Sequence, residues 1–178
     1  MKPWASKKHF LGLDFPNLPY FIDGDVRLTE SKSIMKYLCR KYQPEMLGRD
    51  AVEIATADMV SRVHDDLHAK FGAHCFKDGD TPKLQQDLIE ESAKLAAFLG
   101  ADKLYFTGEQ LTYVDFSLFE ILDQMMFLSK GKTFIDHENL KNYFNRMEQV
   151  STGFAEFWAD DEKCPKKSFK PWFAVLNN

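Results

Sequence analysis

The sequence lacks several features that would assign it to a class at once. Its 178 residues contain no apolar run of the length, about 20 residues, that a membrane-spanning helix needs. The three cysteines have no CxxC spacing, so we predict neither a disulfide framework nor a cysteine zinc site and expect a reducing, cytoplasmic location. Acidic residues outnumber basic ones, 27 to 23, so no basic surface for nucleic acid or a membrane is expected.

Residues that favour β-strands are concentrated near the start of the chain. Residues 15–19 contain two prolines, which fix φ and remove amide donors, so we expect an irregular loop there. Residues 20–22 and Val26–Thr29 have strand-favouring side chains. Asp23-Gly24 between them is the dipeptide that a type I′ turn prefers. The sequence therefore predicts a proline-rich loop followed by a β-hairpin.

A helix is predicted directly after the hairpin. Thr29 and Ser31 offer hydroxyl oxygens at its start, apolar residues recur at helical spacing, and Pro44 stops it. A helix N-terminus attracts carboxylates, and the backbone of Leu18 beside a loop proline could pair with an extended peptide. The unit is thus suited to a small peptide that carries a carboxylate.

In their order and spacing, the first 42 residues resemble the glutathione site of a mu-class glutathione transferase. In that family the loop proline is cis, the residue before it pairs with the cysteinyl backbone of glutathione, and an amide or acid followed by serine holds the γ-glutamyl end. A tryptophan and a lysine contact the glycyl carboxylate. The glutathione-binding set that the resemblance implies is Trp4, Lys8, Asn17, Leu18, Pro19, Glu30, Ser31 and Asp66. Glu30 departs from the pattern, since mu enzymes usually carry glutamine there, although acid-serine pairs occur in related classes.

The resemblance also implies an enzyme that uses glutathione as co-substrate. A tyrosine hydroxyl would lower the pKa of the glutathione thiol, and the thiolate would attack a hydrophobic electrophile, as in detoxification. In the family that tyrosine lies in an initial β-α-β unit, which would fall before Met1, so we expect the chain to lack this unit and assign no catalytic residue. Two alternatives stay open: a non-catalytic binding or structural protein of the same fold, and a complete enzyme whose true start lies upstream of Met1.

From about residue 51 onward the sequence is predicted to be helical. Thr112 and Asp115 form a variant of the capping box at the start of one long helix, and Gly100 ends another well. The expected fold is an α+β fragment followed by an all-α part. Its predicted domains are the later half of a thioredoxin-like domain (β-hairpin and helix) over residues 1–43, a linker over 44–50, and an all-helical glutathione transferase C-terminal domain over 51–178.

One helical segment, residues 64–68, permits two interpretations. His64 and His68 are four residues apart, share a helical face and could bind zinc. The intervening aspartates are one methylene shorter than a metalloprotease glutamate and no third ligand motif follows, so we predict no metal and partly exposed histidines. The resemblance instead implies that Asp66 reaches the ammonium of glutathione bound to a neighbouring subunit, and the alternative is that Asp66 is a solvated helix carboxylate. It also places Phe76 at the electrophile site, where mu enzymes have a tyrosine.

Two further residues concern assembly. Phe15 precedes the proline-rich loop, as the interface phenylalanine of the mu class does, and the resemblance implies that it inserts between the long helices of a partner subunit. Lys36 stands where many mu enzymes have an arginine that stacks across the two-fold axis, and a lysine lacks the planar guanidinium. The expected partners are therefore glutathione, a hydrophobic electrophile and a second copy of the chain, with no nucleic acid and no membrane.

Overall fold

The computed structural model describes residues 2–73, 81–160 and 162. Within them, a two-stranded antiparallel sheet is followed by a bundle of helices. The elements are α1 (Lys2–Lys7), β1 (Tyr20–Asp23), β2 (Val26–Thr29), α2 (Ser31–Tyr42), α3 (Ala51–Ala73), α4 (Thr81–Leu99), α5 (Tyr113–Ser129), α6 (Glu138–Glu148) and α7 (Thr152–Ala159). Among these helices, none is both long enough and apolar enough to cross a bilayer. The expected fold class is confirmed, while the domain limits stay a prediction.

The hairpin forms where it was predicted, but its turn lies one residue further along. Tyr20 pairs with Thr29 and Asp23 with Val26, so the central turn residues are Gly24 and Asp25. Gly24 has φ 59° and Asp25 has no positive φ, a combination that fits type II′ and not type I′. The turn shifts because Asp23 belongs to the strand, where its carboxylate accepts hydrogen bonds from α2.

Those hydrogen bonds attach the hairpin to α2. The hydroxyl of Tyr37 donates to Asp23 Oδ2 at 2.8 Å, and Lys41 Nζ pairs with the same oxygen. The Lys41 ammonium is the main reason that the pKa of Asp23 lies below its ordinary value. Hairpin and α2 therefore form one unit. The short helix α1, which the sequence analysis did not predict, contacts this unit through Trp4, whose ring stacks on Tyr20 at 5.7 Å between centroids.

Two ion pairs join α2 to α3. Lys36 Nζ lies 2.6 Å from Asp58 Oδ1, and Lys32 Nζ lies 2.5 Å from Asp65 Oδ1. Tyr113, the first residue of α5, donates to the same Asp58 oxygen at 3.0 Å. The N-terminal unit is thereby fixed to the helical part through charged contacts at the beginning and middle of α2.

The centre of the helical part is α5, whose inward residues are almost fully buried between α3, α4 and α6. The predicted capping box at its start is confirmed. Asp115 Oδ2 accepts from the Thr112 amide at 2.8 Å, and Oδ1 accepts from the Phe106 amide at 3.0 Å. Tyr143 of α6 donates its hydroxyl to the Asp115 carbonyl at 3.0 Å. The Asp115 carboxylate thus connects α5 to the preceding loop, and the Asp115 carbonyl anchors α6 through Tyr143.

Candidate functional site

The proline-rich loop meets the start of α2 through Asn17. The peptide bond between Leu18 and Pro19 is cis, as the resemblance implied. The Leu18 amide donates to Asn17 Oδ1 at 2.9 Å, and Asn17 Nδ2 donates to Glu30 Oε1 at 3.3 Å. The structure therefore brings together five of the predicted site residues, which are Asn17, Leu18, Pro19, Glu30 and Ser31.

Glu30 and Ser31 form the first turn of α2, but not by the hydroxyl capping that was predicted. The N-cap is Glu30, which makes no side-chain cap hydrogen bond, and its φ of 68° and ψ of 111° are uncommon for a residue with a Cβ. Such a conformation costs on the order of 1–3 kcal/mol and occurs often at functional sites. The Glu30 carbonyl accepts the first helical hydrogen bond, from the Ile34 amide, at 3.0 Å. Glu30 and Ser31 are both exposed and lie at the rim of a cavity.

This cavity of about 430 Å³ lies between α2, α3 and α5. Its lining is mainly polar: Glu30, Ser31 and Lys32 from α2 and its N-cap, Arg62, His64, Asp65 and His68 from α3, and Ser117 and Glu120 from α5, with Met35 as the apolar member. Asp65 is paired with Lys32 at 2.5 Å and with Arg62 at 3.1 Å. Burial opposes ionisation of Asp65, but these cations hold its pKa below the ordinary value.

His64 is the buried histidine of this cavity, contrary to the expectation that both histidines would be partly exposed. Only 9% of the residue is exposed, whereas His68 is an exposed residue whose ring stacks on that of His64 at 5.9 Å. Neither ring nitrogen of His64 has a hydrogen-bond partner, and Asp65 Oδ1 is 3.8 Å from Nδ1. Burial first, and then the Lys32 charge, lower the pKa of His64 from 6.5 to about 4. The ring is neutral at pH 7.

Other predicted ligand residues lie elsewhere. Trp4 belongs to α1 and stacks on β1, and Lys8 begins a short 3₁₀ turn over Lys8–Phe10. Asp66 is exposed on α3 and does not line the cavity, in contrast to its neighbour Asp65. Phe76 lies outside the described residues. Among the residues that are described, no group of three or more His, Cys, Asp or Glu side chains is arranged to hold a metal ion.

Sequence analysis singled out His64 and His68 but missed Lys32, Asp65 and the α5 residues that line this cavity. Lys32 directly follows Ser31 and Asp65 directly precedes Asp66, so both were adjacent to residues that had been singled out. Their pairing could not be recognised because it depends on how α2 packs on α3. Glu120 gave no signal, since it is one charged residue on a long helix.

A second cavity, of about 310 Å³, lies between α3 and α4 and is almost wholly apolar. Its apolar lining is Met59, Val60 and Val63 from α3, Leu95 and Phe98 from α4, and Phe106, with Glu91 and Lys94 at its polar edge. Phe15, elsewhere on the molecule, has 79% of its surface exposed. Lys36 is engaged within the chain, by Asp58 and by the Tyr113 ring, whose centroid is 5.4 Å from its Nζ.

Comparison with known proteins identifies the family. Residues 65–159 match the family described as "Glutathione S-transferase, C-terminal domain". "Glutathione S-transferase Mu 2" of Mus musculus is 34% identical over 176 residues, which are 97% of this chain and 77% of the mouse protein. The chain belongs to the glutathione S-transferase family. "Glutathione S-transferase 2" of Gallus gallus is 38% identical over 152 residues, 83% of this chain, and the match covers 66% of the chicken protein.

Solved structures of glutathione transferases have the same fold. The glutathione S-transferase Blo t 8 superposes with a TM-score of 0.88 over 99% of this chain and 83% of its own, at 28% identity. A pi-class glutathione S-transferase of Onchocerca volvulus, at 24% identity, gives a TM-score of 0.82 over 97% of this chain and 83% of its own. The chain thus has the glutathione transferase fold over nearly its whole length, while it spans about two thirds to four fifths of the length of these relatives.

Proposed function

We propose that this chain is part of a mu-class glutathione transferase, which binds glutathione as co-substrate and conjugates it to a hydrophobic electrophile. The observation that carries the proposal is the junction of loop and helix: a cis Leu18-Pro19 bond, Asn17 bonded to both Leu18 and Glu30, and Ser31 at the N-terminus of α2. An extended peptide would pair with the Leu18 backbone while its γ-glutamyl carboxylate lies at the helix N-terminus beside Ser31.

Binding requires a rearrangement of Asn17. The Leu18 amide now donates to Asn17 Oδ1, so glutathione can accept from that amide only after the Asn17 side chain rotates away. The freed amide group of Asn17 could then contact the peptide itself. Glu30 would be released as well, and its carboxylate could take the ligand's ammonium, a role that the usual glutamine would fill without added negative charge.

The resemblance to the mu class supports further proposed glutathione-binding residues on other elements. Trp4 and Lys8 would contact the glycyl carboxylate, and Asp66 would contact the ammonium of glutathione bound to the other subunit of a homodimer. Exposure of Asp66 on α3 is compatible with that role. We assign no catalytic residue in this chain, and Phe76 stays the proposed contact of the electrophile. We also propose a cytoplasmic location, in keeping with the resemblance to this family.

Calorimetric titration with glutathione tests the site. We expect Ser31→Ala and Asp66→Ala each to weaken binding by about 1–3 kcal/mol, the range for losing a hydrogen-bond partner of a charged group. Ser33→Ala is the matched control, because Ser33 is an exposed serine of α2 that lines a different cavity. Equal affinity of Ser31→Ala and the parent protein would remove the proposed site.

A measurement of catalytic turnover distinguishes a transferase from a non-catalytic protein of the same fold. A chloronitrobenzene and glutathione, supplied to the pure 178-residue protein, should give little conjugate because we assign no group here that stabilises the thiolate. Glutathione binding without turnover by the full-length gene product would favour a non-catalytic protein of the same fold. Turnover by the 178-residue chain at a rate typical of transferases would show that one of its own residues activates the thiol.

A further inference from the structure

The N-cap of α2 has a strained backbone that its own side chain does not stabilise. Glu30 has φ 68° and ψ 111°, and it makes no side-chain cap hydrogen bond. A residue in such a sparsely populated region keeps its conformation only where the surrounding structure enforces it. Within the described part of the chain, the Glu30 side chain has one hydrogen-bond partner, the exposed Asn17, at 3.3 Å. A stronger restraint on this backbone must come from neighbouring residues.

Lys32, two residues after Glu30, supplies that restraint by joining the first turn of α2 to α3. Its ammonium donates to the Ser61 carbonyl and lies 2.5 Å from Asp65 Oδ1. Ser61 and Asp65 are four residues apart, so both acceptors lie on one face of α3. Only 23% of the Lys32 side chain is exposed. Salt screens a partly buried ion pair of this kind less than an exposed one.

The α3 end of this connection is itself well fixed. Ser61 is buried, like its neighbour Val60, and α3 packs against α5. Asp65 is also held by Arg62 Nη1 at 3.1 Å. Lys32 therefore connects the strained end of α2 to a part of the helical bundle that has little freedom to move.

The position of the α2 N-terminus matters because the proposed site places the γ-glutamyl carboxylate of glutathione there, beside Ser31. The first N–H groups of a helix have no intrahelical partner, and they bind an anion when the first turn directs them at it. In the proposed binding mode Asn17 releases Glu30, so their hydrogen bond cannot hold the N-cap in the complex. The contacts of Lys32 with α3 do not involve the loop and are retained.

We propose that Lys32 is a positioning residue for glutathione: by binding α3 it holds Glu30 in the strained conformation and keeps the first N–H groups of α2 directed at the γ-glutamyl carboxylate. Lys32 acts through α3 and does not itself contact the ligand. This inference rests on the proposed function and adds a residue to it. Sequence analysis did not single out Lys32, because its contacts depend on how α2 packs on α3.

NMR of the ligand-free protein gives the first test. A strong NOE between the amide and α protons of one residue marks a positive φ, so this signal at Glu30 reports the strained conformation. We expect a strong NOE in the parent protein and a weaker one in Lys32→Met. Lys32→Arg should retain the NOE, because arginine keeps a charged donor group. Asp65 stays paired with Arg62 in Lys32→Met, so this variant leaves no carboxylate unpaired.

Lys36→Met is the matched control. Lys36 also joins α2 to α3, through Asp58, but it lies one turn further from the N-cap and does not line the cavity beside Ser31. The NOE at Glu30 should be unchanged in this variant. An unchanged NOE in Lys32→Met, or an equal loss in Lys36→Met, would overturn the inference.

Calorimetric titration with glutathione at pH 7 gives the second test. Lys32→Met should weaken binding about ten-fold, whereas Lys36→Met should change the affinity by less than about two-fold. Lys32→Arg should recover most of the affinity that Lys32→Met loses. Glutathione binding by the parent protein with the same affinity in Lys32→Met would overturn this inference alone. Absence of any glutathione binding by the parent protein would overturn the proposed function, and this inference with it.

Asp65→Ala separates positioning from direct contact. If the Lys32 ammonium bound the ligand carboxylate itself, removal of Asp65 would free this cation and strengthen glutathione binding. If Lys32 acts through α3, the same substitution weakens its hold on α2 and therefore weakens binding. We expect weaker binding by Asp65→Ala, and stronger binding would overturn the inference.

Discussion

At the scale of single residues, His64 links the acid sensitivity of the protein to one buried ring. Its pKa falls from 6.5 to about 4 on folding, so between these values the unfolded chain binds more protons than the folded one. The free energy of unfolding must then rise with pH across this interval and fall on acidification. We expect His64 to remove about 2 kcal/mol of stability between pH 7 and pH 5.

Urea unfolding at the two pH values measures this effect. His64→Leu, which has no titratable group, should lose about 2 kcal/mol less than the parent protein over the same interval. Met35→Leu, which changes another lining residue of the same cavity and removes no titratable group, should lose as much as the parent. An identical pH dependence for the parent and His64→Leu would show that the ring titrates normally in the folded state.

The same residues show what a sequence can and cannot predict about this site. Asn17, Leu18, Pro19, Glu30 and Ser31 were proposed as ligand residues because they are close in the chain and their spacing matches a known pattern. His64 was judged to be partly exposed, since a helical spacing gives the face on which a residue lies but not what covers that face. Burial and unsatisfied nitrogens depend on the packing of α2 and α5, which no local pattern reports.

At the scale of elements, α5 depends on the carboxylate of Asp115. That carboxylate accepts from the amides of Thr112 and Phe106, and both groups are buried. We expect Asp115→Ala to lower the free energy of unfolding by about 3–5 kcal/mol, because buried donors lose their partners. Asp115→Asn should recover part of this loss. The asparagine side-chain oxygen can still accept from one of the two backbone amides, whereas its NH₂ group would face the other amide, which is also a donor. Chemical denaturation measures both.

The exposed Asp102 is the matched control for that prediction. It lies in the loop before α5, and its removal should change stability by no more than about 0.5 kcal/mol. A loss of similar size for Asp102→Ala and Asp115→Ala would mean that the capping box contributes little. The capping box itself was predicted correctly because threonine and aspartate three residues apart are a local signal. The position of the hairpin turn was not predicted correctly, because the side chain of Asp23 accepts a hydrogen bond from Tyr37 on α2, which is distant in the chain.

At the scale of the whole molecule, Phe15 and the apolar cavity between α3 and α4 are the features that favour a homodimer. Phe15 is 79% exposed, and a cavity of about 310 Å³ with an almost wholly apolar lining suits an aromatic ring. In a two-fold dimer each Phe15 would enter the cavity of the other copy, so one substitution removes two contacts. Lys36, held by Asp58 within the chain, would contribute less to such an interface than Phe15.

Sedimentation of variants decides whether this dimer exists. Phe15→Ala should raise the dimer dissociation constant at least 100-fold, since burying two phenylalanine side chains contributes about 3 kcal/mol or more. Val63→Glu, which places a charge at the cavity wall, should have the same effect from the opposite side of the contact. Phe10→Ala is the matched control, because Phe10 is 88% exposed and does not belong to the proposed contact. If Phe15→Ala changes the dissociation constant no more than Phe10→Ala does, or if the parent protein is monomeric at every concentration tested, the two chains do not associate through Phe15.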